Sequence, residues 1–239
     1  MKLTTFADKI ELHKNNLFLI FVRRRGYEMK INQPRIPNYL EERIFTDVLN
    51  DEYKELHSAI VRNAEFTNET FYDMQLNQTI IKNSNFSNSD LSGLDLSDVT
   101  FENCDFSNAN LSKSSFIRVR FKDCKLLGIN LSESYIGHTH FLTSILTMGM
   151  FGETRLEQIH FEESILENAD FFDCILKEVV FDSCNIDGIN FRETPMKNTD
   201  ISTSEFNSIL VSMENLKGCT ISRFQAVYFA TLLGLKIKE

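Results

Sequence analysis

The chain has 239 residues, of which 42% are hydrophobic and 25% are charged, and this composition excludes both a disordered chain and a membrane-embedded one. The formal net charge of −9 argues against direct binding to nucleic acid or to an anionic membrane and favours a basic partner. Phenylalanine is unusually common, with 21 residues, whereas tryptophan is absent and the turn-forming residues glycine and proline number only 9 and 3.

Residues 1–28 differ from the rest of the chain because they carry six basic and three acidic side chains. The only apolar run near the start, 17–22, is too short for a signal peptide or a membrane span, and the five cysteines form no CxxC pair. These features predict a reduced, cytoplasmic protein. The segment RRRGYE before Met29 resembles a translated purine-rich ribosome-binding site, which predicts that 1–28 are a non-native upstream extension or a flexible tail and that Met29 is the native start.

Residues 29–63 contain Pro34 and Pro37, followed by a mixed polar and apolar stretch. They precede a long repeat, and an open solenoid end exposes core residues and unpaired strand edges. We therefore predict that 29–63 form an N-terminal cap containing a helix and an irregular strand.

A five-residue repeat runs from Phe66 to Ile221, where 32 consecutive fifth residues are large and apolar, fourteen of them Phe. The position two residues earlier is small in 24 of the 32 units and holds all five cysteines. A period of five fits neither an ordinary helix nor a strand. One large and one small inward residue per unit suit a square coil of about twenty residues, with coils stacked roughly 4.8 Å apart. Residues 64–223 therefore predict an all-β solenoid of eight coils.

Segments such as SDLSGLDLSD, CDFSNANLSK and ENADFFD carry a small residue, then Asp or Asn, then Leu or Phe, then two polar residues. This pattern resembles the pentapeptide repeat family. The resemblance covers about two thirds of the chain and implies a right-handed quadrilateral β-helix. It is much less specific for function.

Every twentieth residue should lie on the same face of such a rod. One predicted column is a core ladder of stacked rings, formed by Phe101, Phe121, Phe141, Phe161 and Phe181. A second column carries short polar side chains that can bond the backbone at the corners, namely Asp90, Asn110, Asn130, Asp170 and Asn190.

The five-residue period ends at Ile221, after which Ser222 can cap a helix that runs to about Leu233 and stops at Gly234, followed by a short strand, LKIK. The segment FQAVYFATLLGLKI is similar to the C-terminal end of the gyrase-interacting, quinolone-resistance branch of the family, in which it makes a two-fold dimer. The resemblance implies that 224–239 form a homodimer, with the interface residues Phe224, Val227, Phe229, Leu232 and Leu233. The alternative is a plain hydrophobic cap. Because the five-residue repeat runs without interruption and leaves no room for inserted loops, the chain resembles the loop-free members of this branch.

No phosphate loop, nucleophile elbow or HExxH motif is present, so we predict no enzymatic activity, no catalytic residue and no cofactor.

His140 and His160 are twenty residues apart and each precedes a ladder Phe, which predicts a solvent-facing polar column with His138 nearby. A surface metal site there lacks an evident third ligand, so no metal is predicted. Cys104 and Cys124 stack one coil apart and are expected to be buried core thiols rather than a disulfide.

The coil region 64–223 holds 24 acidic and 12 basic residues, and the stretch 153–193 alone holds eleven acidic against three basic. Together with the resemblance, this charge predicts a DNA mimic that binds DNA gyrase or topoisomerase IV and reduces quinolone susceptibility, without binding nucleic acid or membrane itself. The residues expected to contact the enzyme are Glu153, Glu157, Glu162, Glu163, Glu167, Asp170, Asp173 and Asp182. The alternative function is a non-enzymatic interaction scaffold with an unrelated partner.

Overall fold

The protein is a parallel β-solenoid of about eight turns with a single C-terminal helix, as the repeat predicts. The structure, a computed structural model, describes residues 19–24, 27–50 and 54–238. Residues paired between neighbouring coils are twenty positions apart, so that Phe101 pairs with Phe121 and Phe141 with Phe161. Because one coil takes twenty residues, the four pentapeptides of each coil make its four sides.

The strands in chain order are β1 (Leu19–Arg24), β2 (Tyr27–Asn32), β3 (Glu41–Glu42), β4 (Glu55–His57), β5 (Ala59–Arg62), β6 (Gln75–Lys82), β7 (Asp95–Glu102), β8 (Ser115–Lys122), β9 (Tyr135–Gly137), β10 (His140–Leu142), β11 (Arg155–Glu162), β12 (Ile175–Asp182), β13 (Ile189–Asn190) and β14 (Ile209–Leu210). The helices are α1 (Asp47–Asn50) and α2 (Arg223–Leu232). Each eight-residue strand covers two sides of a coil, and the other two sides pair through isolated bridges such as Asp90 with Asn110.

The corners explain why so few glycines are needed. From Ser58 to Asn198, the second residue after each large apolar one has a positive φ, and twenty-seven of the described residues with positive φ are not glycine. Asn and Asp, which tolerate this conformation best, are frequent there. The corner N–H groups bond the next coil, as in the bonds from Asn88 N to Ser107 O at 2.8 Å and from Asn108 N to Leu127 O at 2.7 Å. Stacking of the coils therefore gives hydrogen-bond partners to the backbone N–H groups that are not bonded within the turns.

The core contains the column of rings at the predicted ladder positions, Phe101, Phe121, Phe141, Phe161 and Phe181, all of which are buried. Successive ring centroids lie 4.9, 5.1, 4.9 and 4.9 Å apart with nearly parallel planes. All five cysteines are free thiols, and burial raises the pKa of Cys174 and Cys184 to about 12.

The N-terminal segment lies along the side of the rod before it reaches the open end. β1 and β2 form an antiparallel hairpin, and the rest of the predicted extension, residues 1–18, 25 and 26, lies outside the described residues. At the end of β2, the Asn32 side chain lies 3.0 Å from His138 Nε2, and beyond the strand Arg35 N donates to Asp98 Oδ1 at 2.9 Å. Three extended residues span about 10 Å, which equals the two coils that separate His138 from Asp98.

The end of the rod is closed by Phe45, whose ring packs 4.8 Å from that of Phe66 and 4.9 Å from that of Phe86. Glu41 already pairs in parallel with Ala59, and pairing at the twenty-residue spacing begins at Glu55, which pairs with Gln75 nine residues before the predicted boundary at Ala64. The sequence carries the signal for this earlier start, because Leu56 and Val61 continue the five-residue phase and are buried. The cap proper is therefore shorter than the predicted 29–63.

Helix α2 closes the other end. Ser222 caps it through a bond to Gln225 N, and the Gln225 side chain returns the bond to Ser222 N, which makes a capping box. The same Gln225 side chain donates to the carbonyls of Ile201 and Ser204 at 2.7 and 2.8 Å. Gly234 follows with φ +77, as the sequence predicts. The strand predicted for 235–238 is not formed.

Candidate interaction surfaces

The eight acidic residues predicted to contact a partner do not share one face. Glu157 follows the buried Leu156, Glu162 follows Phe161, Glu167 follows Leu166 and Asp170 precedes Phe171, so each lies on a different side of the rod. The cause is the coil itself, since a stretch of thirty consecutive residues must pass around the rod one and a half times. The predicted acidic surface is therefore a ring of charge around the coils rather than a strip.

A column of carboxylates instead follows one corner. Its members are spaced by twenty residues and all are exposed: Glu133, Glu153, Asp173 and Glu193. Glu133 lies 3.8 Å from Lys113, while no basic side chain among the described residues forms an ion pair with Glu153, Asp173 or Glu193. We call this column the acidic corner. Sequence reasoning found Glu153 and Asp173 but did not group them with Glu133 and Glu193, because it counted neighbours along the chain instead of every twentieth residue.

Other predicted acidic residues are already engaged within the rod. Glu157 accepts from Arg155 Nε at 2.9 Å, and this bond is the main reason that its pKa is lowered. Asp170 accepts from Phe172 N at 3.1 Å and from Asn190 Nδ2 at 2.7 Å, which is the corner bonding expected for that column. Asp182 bonds Thr203 and Ser183. These carboxylates therefore stabilise the coils and are less suited to bind a partner than the acidic corner is.

Helix α2 has two different faces. Phe229 is buried against Phe206 and Tyr228, and the hydroxyl of Tyr228 accepts from Ile209 N at 3.2 Å. Phe229 therefore belongs to the cap, contrary to its predicted place in a dimer interface. The opposite face is apolar and open, with Phe224 86% exposed, and its other exposed members are Val227, Leu232 and Leu233. The helix thus closes the last coil and still presents an uncovered apolar face.

His140 and His160 are buried, with exposed fractions of 1% and 3%, so the prediction that they form a solvent-facing column is wrong. Their rings stack with centroids 4.9 Å apart and planes 6° apart. β2 packs against β11, and Met29 and Ile31 enclose Val180, the strand partner of His160. The sequence prediction failed because it placed residues 29–63 over the end of the solenoid, whereas Met29 and Ile31 pack against its side. Burial is the main reason that the pKa of His140 is lowered.

A family model described as "Pentapeptide repeat region" matches residues 94–171 and again residues 114–191, which lie within the coils described above. Residues 94–191 are a pentapeptide repeat region. A second model, described as "SV2A/B/C luminal domain", matches residues 38–131 of the same protein. No curated protein sequence matches it.

Solved structures similar to this chain include trypsin-treated QnrB1, a plasmid-mediated fluoroquinolone resistance protein, with 18% identity, a TM-score of 0.39 and coverage of 74% of this chain and 100% of that one. Another is HetL, a pentapeptide repeat protein involved in heterocyst differentiation regulation from the cyanobacterium Nostoc sp. strain PCC 7120. It shows 14% identity, a TM-score of 0.31 and coverage of 70% of this chain and 84% of that one. None of the described helices of the present protein has the length and apolar character needed to traverse a lipid bilayer.

Proposed function

We propose that this protein is a non-enzymatic, DNA-mimicking rod that binds the basic DNA-binding surface of DNA gyrase or topoisomerase IV and thereby reduces quinolone action. The observation that carries the proposal is the acidic corner. Its members recur once per coil, at the spacing of about 4.9 Å seen between stacked core rings. One strand of duplex DNA carries one phosphate per roughly 3.4 Å of axis, so the corner has about two thirds of that linear charge density.

The ring of other acidic side chains supports the same function. A duplex presents phosphates on every side, and the acidic residues between 153 and 193 likewise occupy all four sides of the rod. Like charges held about 5 Å apart on a surface repel each other by roughly 1 kcal/mol even in water. An arrangement that costs stability in this way fits a surface selected for a basic partner.

Binding and enzyme activity test the proposal together. The double variant Glu153→Lys with Asp173→Lys should weaken binding to gyrase or topoisomerase IV by about tenfold or more at low salt, because charge complementarity supplies the affinity. It should also remove any effect of the protein on quinolone action in a supercoiling assay. The control is Glu65→Lys with Glu69→Lys, two exposed positions at the other end of the rod that receive the same change in charge.

Equal weakening by both double variants would mean that net charge alone matters and that the acidic corner is not the contact surface. No binding of the wild-type protein to either enzyme at low salt would remove the proposal. It would favour the second candidate function, a scaffold for an unrelated protein. The observation in favour of that function is an exposed apolar patch of Ile145, Met148 and Ile165. Apolar side chains do not imitate the charged surface of DNA.

The open face of α2 is proposed to join two chains, which would form one longer anionic rod. Leu232→Asp should then convert a dimer to a monomer, because it places a charge in an apolar interface, and sedimentation velocity measures this directly. Ile175→Asp, at an exposed apolar site on the coils, serves as the control and should leave the mass at two chains. A Leu232→Asp variant that sediments as a dimer would show that α2 is only a cap.

A further inference from the structure

The buried histidines lie next to two carboxylates. Glu162 Oε2 is 2.7 Å from His140 Nε2 and 3.7 Å from His160 Nδ1. One ligand atom from each of these three residues lies within 4.8 Å of the other two. Asp182 Oδ2 lies 3.8 Å from His160 Nε2 on the other side. The register produces this cluster, since His160 and Glu162 flank Phe161 on one strand and both point away from the core.

Three of the four ring nitrogens of these histidines also lack a hydrogen-bond partner in the described part of the chain. His140 Nδ1 and both ring nitrogens of His160 are buried without any bonded group in the described part of the chain. The separations of 3.7 and 3.8 Å from His160 to the carboxylates are too long for hydrogen bonds. A buried polar atom without a partner is destabilising, so three such nitrogens on two adjacent rings favour a bound ligand.

We propose that His140, His160 and Glu162 bind a divalent transition-metal ion of the Zn²⁺ class. Imidazole nitrogen and carboxylate oxygen are the donors that Zn²⁺ takes at about 2.0–2.2 Å. A water molecule completes a four-coordinate shell.

Metal binding requires a defined local movement. Ligand atoms of a tetrahedral zinc site are about 3.4 Å apart, so the three donors must close by roughly an ångström. Parallel imidazole rings direct their nitrogen lone pairs side by side, and the two rings must therefore tilt toward a common point between the coils. Glu162 and Asp182 keep 29% and 28% of their side chains exposed, which leaves a route for the ion.

The bound ion would connect two successive coils beneath the hairpin. His140 belongs to β10, His160 and Glu162 to β11, and β2 packs against β11. A metal that binds the folded state alone stabilises it by mass action. The site is therefore a stabilising link at the middle of the rod, independent of any partner at the acidic corner.

The test is calorimetric titration of the full chain, freed of metal, with Zn²⁺ alone, followed by thermal unfolding with and without the ion. We expect one Zn²⁺ per chain, a raised Tm, and no comparable effect of Mg²⁺, which prefers an all-oxygen shell. His160→Gln and Glu162→Gln should each weaken Zn²⁺ binding by more than about tenfold. Glu163→Gln, the exposed neighbour outside the cluster, is the matched control and should bind as the wild type does.

Absence of Zn²⁺ binding by the wild type, or equal binding by all three variants, would overturn the proposal. Circular dichroism shows whether each variant is folded. If His160→Gln or Glu162→Gln does not fold, X-ray absorption of the Zn²⁺-loaded wild type decides instead. A shell with two imidazoles and carboxylate oxygen supports the site, whereas a thiolate shell or one without imidazole overturns it.

Discussion

Replacing Phe161 by alanine is expected to lower the free energy of unfolding by about 4 kcal/mol, the usual cost of removing a fully buried Phe. Its ring stacks between those of Phe141 and Phe181, with centroids 4.9 Å away on each side. It also meets Phe151 and Phe171 edge-on at 6.1 and 6.0 Å. The variant thus loses four aromatic contacts as well as buried area.

Urea unfolding measures this loss. With a slope of roughly 2 kcal/mol per molar, the midpoint should fall by about 2 M. Phe172→Ala is the matched control, because Phe172 lies on the outside of the coil and is exposed, and its loss should stay within about 0.5 kcal/mol. Because each coil contacts only its neighbours, Phe161→Ala should raise the rates of backbone amide hydrogen exchange most in the coils next to residue 161. Equal midpoints for the two variants would contradict the ladder as a source of stability.

The repeat and the C-terminal helix were predictable because each is encoded locally. A large residue at every fifth position determines which side chains enter the core, and the twenty-residue coil then places Phe101 and Phe121 in one column without further information. Ser222 and Gln225 form their capping box within a single turn of helix. The exposure of Phe224 and the burial of Phe229 could not be separated by the sequence, since both are apolar and only the last coil decides which face it covers.

The burial of His140 and His160 was not predictable from the repeat. Their positions point away from the core, and only the hairpin, more than one hundred residues earlier in the chain, removes them from solvent. No local pattern connects Met29 with Val180. The acidic corner is a different case, because Glu133 and Glu193 are visible once the coil length is applied to charged residues as it was to Phe.

A second large loss of stability is expected at the ion pair between Asp98 and Arg118, where the N-terminal segment contacts the rod. Arg118 Nε and Nη2 donate to the two carboxylate oxygens at 2.6 and 2.7 Å, with side chains only 19% and 8% exposed for Arg118 and Asp98. These bonds to Asp98 are the main reason that the pKa of Arg118 is raised. Asp98 also accepts from Arg35 N, so the pair holds the N-terminal segment against the rod.

Arg118→Ala should cost about 3 kcal/mol of unfolding free energy, because it leaves a buried carboxylate with one backbone donor. It should also expose the segment around Arg35 to limited proteolysis. The double variant Asp98→Ala with Arg118→Ala should be more stable than Arg118→Ala alone, since the uncompensated charge has gone. Lys125→Ala, which breaks the exposed pair with Asp105 at 3.1 Å, is the control and should cost less than about 1 kcal/mol. Urea midpoints of the three variants measure the contribution of the Asp98–Arg118 pair to stability. If Arg118→Ala and Lys125→Ala lower the midpoint equally, burial of the Asp98 pair contributes nothing. The N-terminal segment is then held by its apolar contacts alone.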